Sequence, residues 1–167
     1  MDIELVERDA MLLGGMSFYG DPLSTKGGWD EENEIGRTWQ RFMTYVHSHE
    51  ERTYTSHDSY FYELHIYNED TPKNGQFQVF VGEKVNTSQL PVKLDSKYIP
   101  SSLYLKVTLR GKEIISDWWY ELEQEIASNK NIQRNYQYII QAYDHRFKGM
   151  DKINESELDA YIPVERI

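Results

Sequence analysis

NEIGRTWQRFMTYVHS (33–48) and KEIISDWWYELEQEIAS (112–128) are the two stretches on which the fold turns. Ile35, Trp39, Phe42 and Val46 recur in steps of 4, 3 and 4 residues, and Ile115, Trp119, Leu122 and Ile126 recur in the same steps 80 residues later. Such spacing puts each set on one face of a helix with 3.6 residues per turn. The reading predicts helices over Asn33–Ser48 and Lys112–Ser128. Asn33 or Asp30 can cap the first, and Glu31, Glu32 and Glu34 suit the positive end of its dipole. A tryptophan at the same phase of both helices points to an internal duplication rather than to two unrelated amphipathic helices.

The flanking segments read as strands. Residues 3–20 are apolar at Ile3, Leu5, Met11 to Met16 and Phe18, and Gly20-Asp21-Pro22 marks a turn. Leu23–Asp30 is a loop, and its Trp29, beside two glycines, is expected to lid either the core or a pocket. YFYELHIY (60–67) and QFQVFVGEKV (76–85) form a hairpin across NEDTPKNG, with Pro72 and Asn74-Gly75 as turn formers. The order then repeats: a strand within 90–110, clearest in LYLKVTLRG, then the second helix, then strands over 138–146 and 158–166. The predicted fold class is α+β, with two β-α-β-β repeats forming one curved antiparallel sheet, the helices packed on it and a ligand cleft between the repeats. One domain spans 1–167, repeat one running to about residue 88 and repeat two from about residue 89.

Composition narrows the function. The 167 residues carry 18 Lys plus Arg against 28 Asp plus Glu, a net charge of −10, which speaks against an autonomous nucleic-acid binder. With no cysteine, disulfides, thiolate zinc sites and cysteine nucleophiles are excluded. His47 and His49 lie two apart at a helix end, and His57, His65 and His145 are isolated, so no metal site or other cofactor is expected. Gly14-Gly15 and Gly27-Gly28 are weak candidates for a phosphate loop, because they lack the strand-to-helix context. The acidic start MDIELVERDA shows no apolar leader and no apolar run is long enough to span a bilayer, so the expected location is the cytoplasm.

Thirteen Tyr, six Phe and four Trp are more rings than a dry core of this size requires. Alternation sorts some of them. Phe61, Glu63, His65 and Tyr67 share one strand face, Ile139, Gln141 and Tyr143 another, and Glu157, Asp159 and Tyr161 lie opposite Leu158, Ala160, Ile162 and Val164. A sheet face of mixed aromatic and polar residues is either solvated or a binding surface. Trp39 and Trp119 could line a cleft or simply pack helix on sheet, and Trp118, off the main stripe, could reach over its edge.

IIQAYDHRF (139–147) followed by SELDAYIPVE (156–165) resembles the C-terminal end of GyrI-like small-molecule-binding domains, the effector-binding superfamily of bacterial transcription activators. NEIGRTWQRF (33–42) is similar to their first helix, FQVFVGEKV (77–85) to their Gly-containing third strand, and residues 99–122 to their passage into the second repeat. The resemblance implies a two-repeat fold around a ligand cleft. It also implies a glutamate in the penultimate strand that faces the pocket and pairs with cationic or aromatic ligands. Gln141 stands at that position, and an amide cannot neutralise a cation. Glu63, on the pseudo-equivalent strand of the first repeat, can supply the charge instead, whereas Glu157 reads as an exposed strand-end carboxylate.

The expected function is a free-standing protein that captures a hydrophobic, partly aromatic ligand, with cationic character allowed, through Trp39, Glu63, Tyr67, Trp118, Trp119, Gln141, Tyr143 and Tyr161. It involves neither direct nucleic-acid binding nor a membrane, and leaves room for a protein partner. Two alternatives stand beside it. One is a hydrolase of reactive electrophiles with Glu63 as base and Trp119 and Tyr143 as clamp. The other is an acidic module that inhibits a DNA-handling enzyme.

Overall fold

In the computed structural model the described residues are 1–28, 30–135 and 137–167, so Trp29 and any lid it forms lie outside them. The elements are strands β1 (Asp2–Arg8) and β2 (Met11–Gly20), helix α1 (Glu34–Ser48), strand β3 (Phe61–Ile66), a single turn α2 (Thr71–Asn74) and strand β4 (Phe77–Lys84). They continue with β5 (Asp95–Ile99), β6 (Ser102–Arg110), helix α3 (Trp118–Ser128), β7 (Ile132–Arg134), β8 (Tyr138–Tyr143) and β9 (Glu157–Arg166). The strands form one antiparallel sheet in the order β1-β6-β9-β8-β3-β4-β2-β5, with β7 added against β9.

That order is mirrored about the β8–β3 seam. β6, β9 and β8 of the second half answer β2, β4 and β3 of the first, and each half lends its leading strand to the other. β1 pairs with β6, and β5 with β2. The segment read from sequence as one strand over 3–20 is therefore two strands at opposite ends of the sheet, and 90–110 likewise divides into β5 and β6. Arg8 and Met11, and Ile99 and Ser102, are joined by only two intervening residues. Three peptide steps reach at most about 11 Å, whereas strands so far apart in a flat sheet would be separated by roughly 29 Å at about 4.8 Å per strand. The sheet must curl until its ends nearly meet.

The central strands β4, β8 and β9 consequently bury both faces, whereas β1 stays largely exposed. One face carries a continuous cluster that includes Leu13, Tyr62, Leu64, Phe80, Tyr104, Ile140, Ala142 and Tyr161, with no helix residue in it, as expected for the inner side of the curl. The other face holds the helices over two separate clusters. α1 places Phe42 and Val46 on Phe77, Val79 and Val81. α3 places Leu122 and Ile126 among Val107, Ile139, Leu158, Ala160 and Ile162. Each fully buried side chain of this kind contributes about 1.5–3 kcal/mol.

α1 begins where its cap was expected. Asn33 accepts from the Gly36 N–H at 3.0 Å and donates to the Gly28 carbonyl at 2.9 Å, fixing both the helix start and the loop before it. α3 starts six residues later than the sequence suggested. Gly111, at φ +56°, opens a 3₁₀ turn over Gly111–Ile115, and Ser116 is extended. Ile115, expected on the buried stripe, is 50% exposed because it belongs to that turn and is out of phase with the helix.

Candidate functional site

The seam between the halves is where β3 and β8 pair, and Glu63 lies directly across from Gln141 there, with Phe61 across from Tyr143. All four point to the helix side, because their neighbours Tyr62, Leu64, Ile140 and Ala142 fill the inner cluster. Glu63 is 3% exposed. The Trp39 indole N–H, reaching down from α1, donates to its Oε2 at 2.5 Å, and His65 Nε2 lies 2.6 Å from its Oε1. The Tyr143 hydroxyl donates to Gln141 Oε1 at 2.7 Å. The Trp39 ring stands edge-on to Tyr143 at 5.1 Å and to Phe61 at 6.5 Å, and Phe147 stands edge-on to Tyr143 at 5.0 Å. A buried carboxylate is thus walled by rings. Its one ion-pair partner is an imidazole, which carries charge only when protonated, and no Lys or Arg pairs with it among the described residues.

Tyr67 continues this wall, 5.1 Å from Phe77 and packed, like Trp39, against the clusters of both helices. Burial pushes its hydroxyl up to about 12; the Arg134 charge works against that rise, and Glu63 and Glu123 add to it. Burial, with the Glu63 carboxylate beside it, holds the Tyr143 hydroxyl well above its ordinary value. Both phenols therefore stay protonated at neutral pH as hydrogen-bond donors. On the α3 side, Trp119 lies under the Arg134 guanidinium at 4.9 Å.

The residues named from sequence divide accordingly. Trp39, Glu63, Gln141 and Tyr143 converge at the seam, and Tyr67 and Trp119 extend from it toward α3. Trp118 meets Trp119 edge-on at 6.0 Å but lines a separate hollow of about 310 Å³ with Met1, Lys112, Glu113 and Ser116. Tyr161 is on the opposite side of the sheet. It pairs with Ile140, so it points into the inner cluster, edge-on to Tyr104 and under Arg8 at 4.1 Å. Ala160, paired with Gln141, holds the β9 position on the site's face. Sequence reasoning gave no role to Phe77, Phe147 or Arg134, and it placed His65 on the strand face of Glu63 without assigning it to the site. Arg134 sits on the short β7, which no pattern announced.

Trp39 and Tyr67 bridge the clusters under the two helices, and together with Phe61 and Trp119 they stay partly exposed around the buried Glu63. A more open hollow of about 770 Å³ lies elsewhere, between the outer side of α1 and β2, lined by Met16, Arg37, Arg41, Lys93 and Asp95. Both oxygens of Glu63 are engaged, Oε2 by Trp39 and Oε1 by His65. Glu157 is an ion-pair partner of Arg110 at 2.8 Å and Arg146 at 2.5 Å. Gly14 and Gly15 lie within β2 rather than in a phosphate loop. Among the described residues no three His, Asp or Glu side chains converge as a metal site would need, and no helix is long and apolar enough to cross a membrane.

Residues 4–164 match the family model of Cass2, the integron-associated effector binding protein. The chain belongs to this family. Solved structures share its fold. The structure of SAV2435 bound to tetraphenylphosphonium superposes with a TM-score of 0.70 at 16% identity, covering 99% of this chain and 94% of that one. The integron cassette protein VCH_CASS2 of Vibrio cholerae gives 0.64 at 17% identity, covering 98% and 95%. A putative bacterial transcription regulation protein from Staphylococcus aureus MU50 gives 0.67 at 15% identity, covering 99% of both chains. At such identities these likenesses speak for the fold. None of the curated proteins matches the chain.

Proposed function

We propose that this effector-binding chain captures a hydrophobic, partly aromatic cation between α1 and α3, over Glu63, and acts by sequestering it or by presenting a ligand-dependent surface. The observation that carries this reading is a carboxylate buried under aromatic rings without a guanidinium or ammonium partner. A buried anion without a full counter-charge is costly, and a cation with aromatic faces would supply both the charge and the ring contacts. Glu63 performs the task for which the amide of Gln141 is unsuited. That SAV2435, a protein of the same fold, was solved with the aromatic cation tetraphenylphosphonium supports the same ligand class here.

Entry requires Trp39 to swing off Glu63. That gives up one charge-assisted hydrogen bond, about 1.5–3 kcal/mol, and the ligand must recover it. Calorimetric titration with tetraphenylphosphonium tests the proposal. Saturable binding that quenches tryptophan fluorescence, and weakens by about tenfold or more in Glu63→Gln, is the expected result. Binding that Glu63→Gln leaves untouched would refute the role given to the carboxylate.

A further inference from the structure

Arg134 is a half-buried arginine whose chelating edge faces no acceptor among the described residues. Its Nε and Nη2 are both buried and both without a hydrogen-bond partner. These two nitrogens form the side of the guanidinium that grips a planar oxyanion through two parallel bonds. Arg52 shows this use in the same molecule, its Nε and Nη2 holding the two oxygens of Glu83 at 2.6 and 2.9 Å. Arg146 is likewise saturated, by Asp144, Glu157 and Asp159. Among the described residues the one carboxylate that pairs with Arg134 is Glu123, 3.9 Å from Nη1 and 46% exposed.

Burying donors without acceptors is costly, and such a group in a folded protein asks for an explanation. Packing does not require a charge here. The Trp119 face under the guanidinium could be covered by an aliphatic side chain at no such cost. The fork does, however, lie next to the proposed ligand site. Tyr67 packs between the two helix clusters, its N–H donates to the Gln137 carbonyl at 2.7 Å just beyond β7, and its hydroxyl feels both the Arg134 and the Glu63 charge. A molecule lying along Tyr67 would have a carboxylate at one end and a vacant guanidinium edge at the other.

We infer that Arg134 grips a carboxylate or similar planar anion of the ligand through Nε and Nη2, so that the cleft takes an amphoteric aromatic molecule, cationic over Glu63 and acidic beside Trp119. This rests on the reading of the seam as the ligand site and adds the second pole of the ligand.

A pair of rhodamine dyes tests it, one with a free carboxylate and the other the same dye as its ethyl ester, both read by fluorescence anisotropy. The acid is expected to bind the unaltered protein at least about tenfold more tightly than the ester. Arg134→Met should erase the preference while ester binding persists, and Arg134→Lys, which keeps charge but not the fork, should restore only part of it. Equal affinities for the two dyes in the unaltered protein, with ester binding still weakened by Glu63→Gln, would overturn the inference and leave the proposed function standing. Binding of neither dye would overturn both. The comparison of acid with ester needs no variant, so it holds even if a substitution at Arg134 impairs folding.

Discussion

At the scale of single residues, the bond to Glu63 makes Trp39 a structural tie as well as a wall of the site. Trp39→Phe keeps most of the ring contacts with Tyr143 and Phe61 but removes the donor to Glu63 Oε2. One oxygen of a buried carboxylate then lacks its donor, and stability should fall by about 1–3 kcal/mol, read from urea unfolding. Tyr161→Phe, on the other side of the sheet, should leave affinity for tetraphenylphosphonium unchanged; a loss there would contradict the face assignment. Alternation in the sequence was enough to bring Glu63, Gln141 and Tyr143 onto their strand faces. It could not say which face of β9 meets the helices, because the curl buries both faces of these strands and period-2 patterning marks only a difference between them. That is why Tyr161 was grouped with residues it never approaches.

At the scale of elements, the boundaries follow local chemistry that the sequence displays unevenly. The start of α1 was legible because Asn33 is a strong cap, and Asn33→Ala should cost about 1 kcal/mol in the same assay, more if the bond to the Gly28 carbonyl also orders the loop. The start of α3 was not legible. Glu113 accepts from the Arg110 N–H at 2.9 Å and stabilises a separate turn, a contact that helical periodicity does not report. Gly15 looked like part of a weak loop signal, yet it pairs with Gly82 where β2 and β4 press together. A Cβ there would lie 1.9 Å from the Val81 carbonyl oxygen, so Gly15→Ala must push the strands apart. A loss of about 1–3 kcal/mol or more is expected, visible as a lower melting temperature.

At the scale of the whole molecule, the repeated helices with their tryptophans disclosed two similar halves, whereas the exchange of β1 and β5 depended on pairings between distant segments that no local pattern carries. That exchange ties the halves together, and the Arg146 cluster reinforces β9 within the second half. Burial works to raise the Asp144 carboxyl, but the hydrogen bonds from Arg146 outweigh it and hold the group below its ordinary value of about 3.8. A carboxyl depressed in the folded state contributes its stability above the unfolded value, and that contribution is lost as pH falls through the folded one. The urea midpoint should therefore fall as pH drops from about 5 to about 3, and fall less steeply in Asp144→Asn. The central claim, that the rings at the β3–β8 seam part to admit a ligand over Glu63, is tested most directly by a crystal structure of the protein with tetraphenylphosphonium. The account predicts the cation between α1 and α3, with the Trp39 indole withdrawn from Glu63 and stacked on the ligand. A cation seated instead in the hollow beside Arg37, Arg41 and Lys93, with Trp39 still bonded to Glu63, would contradict it.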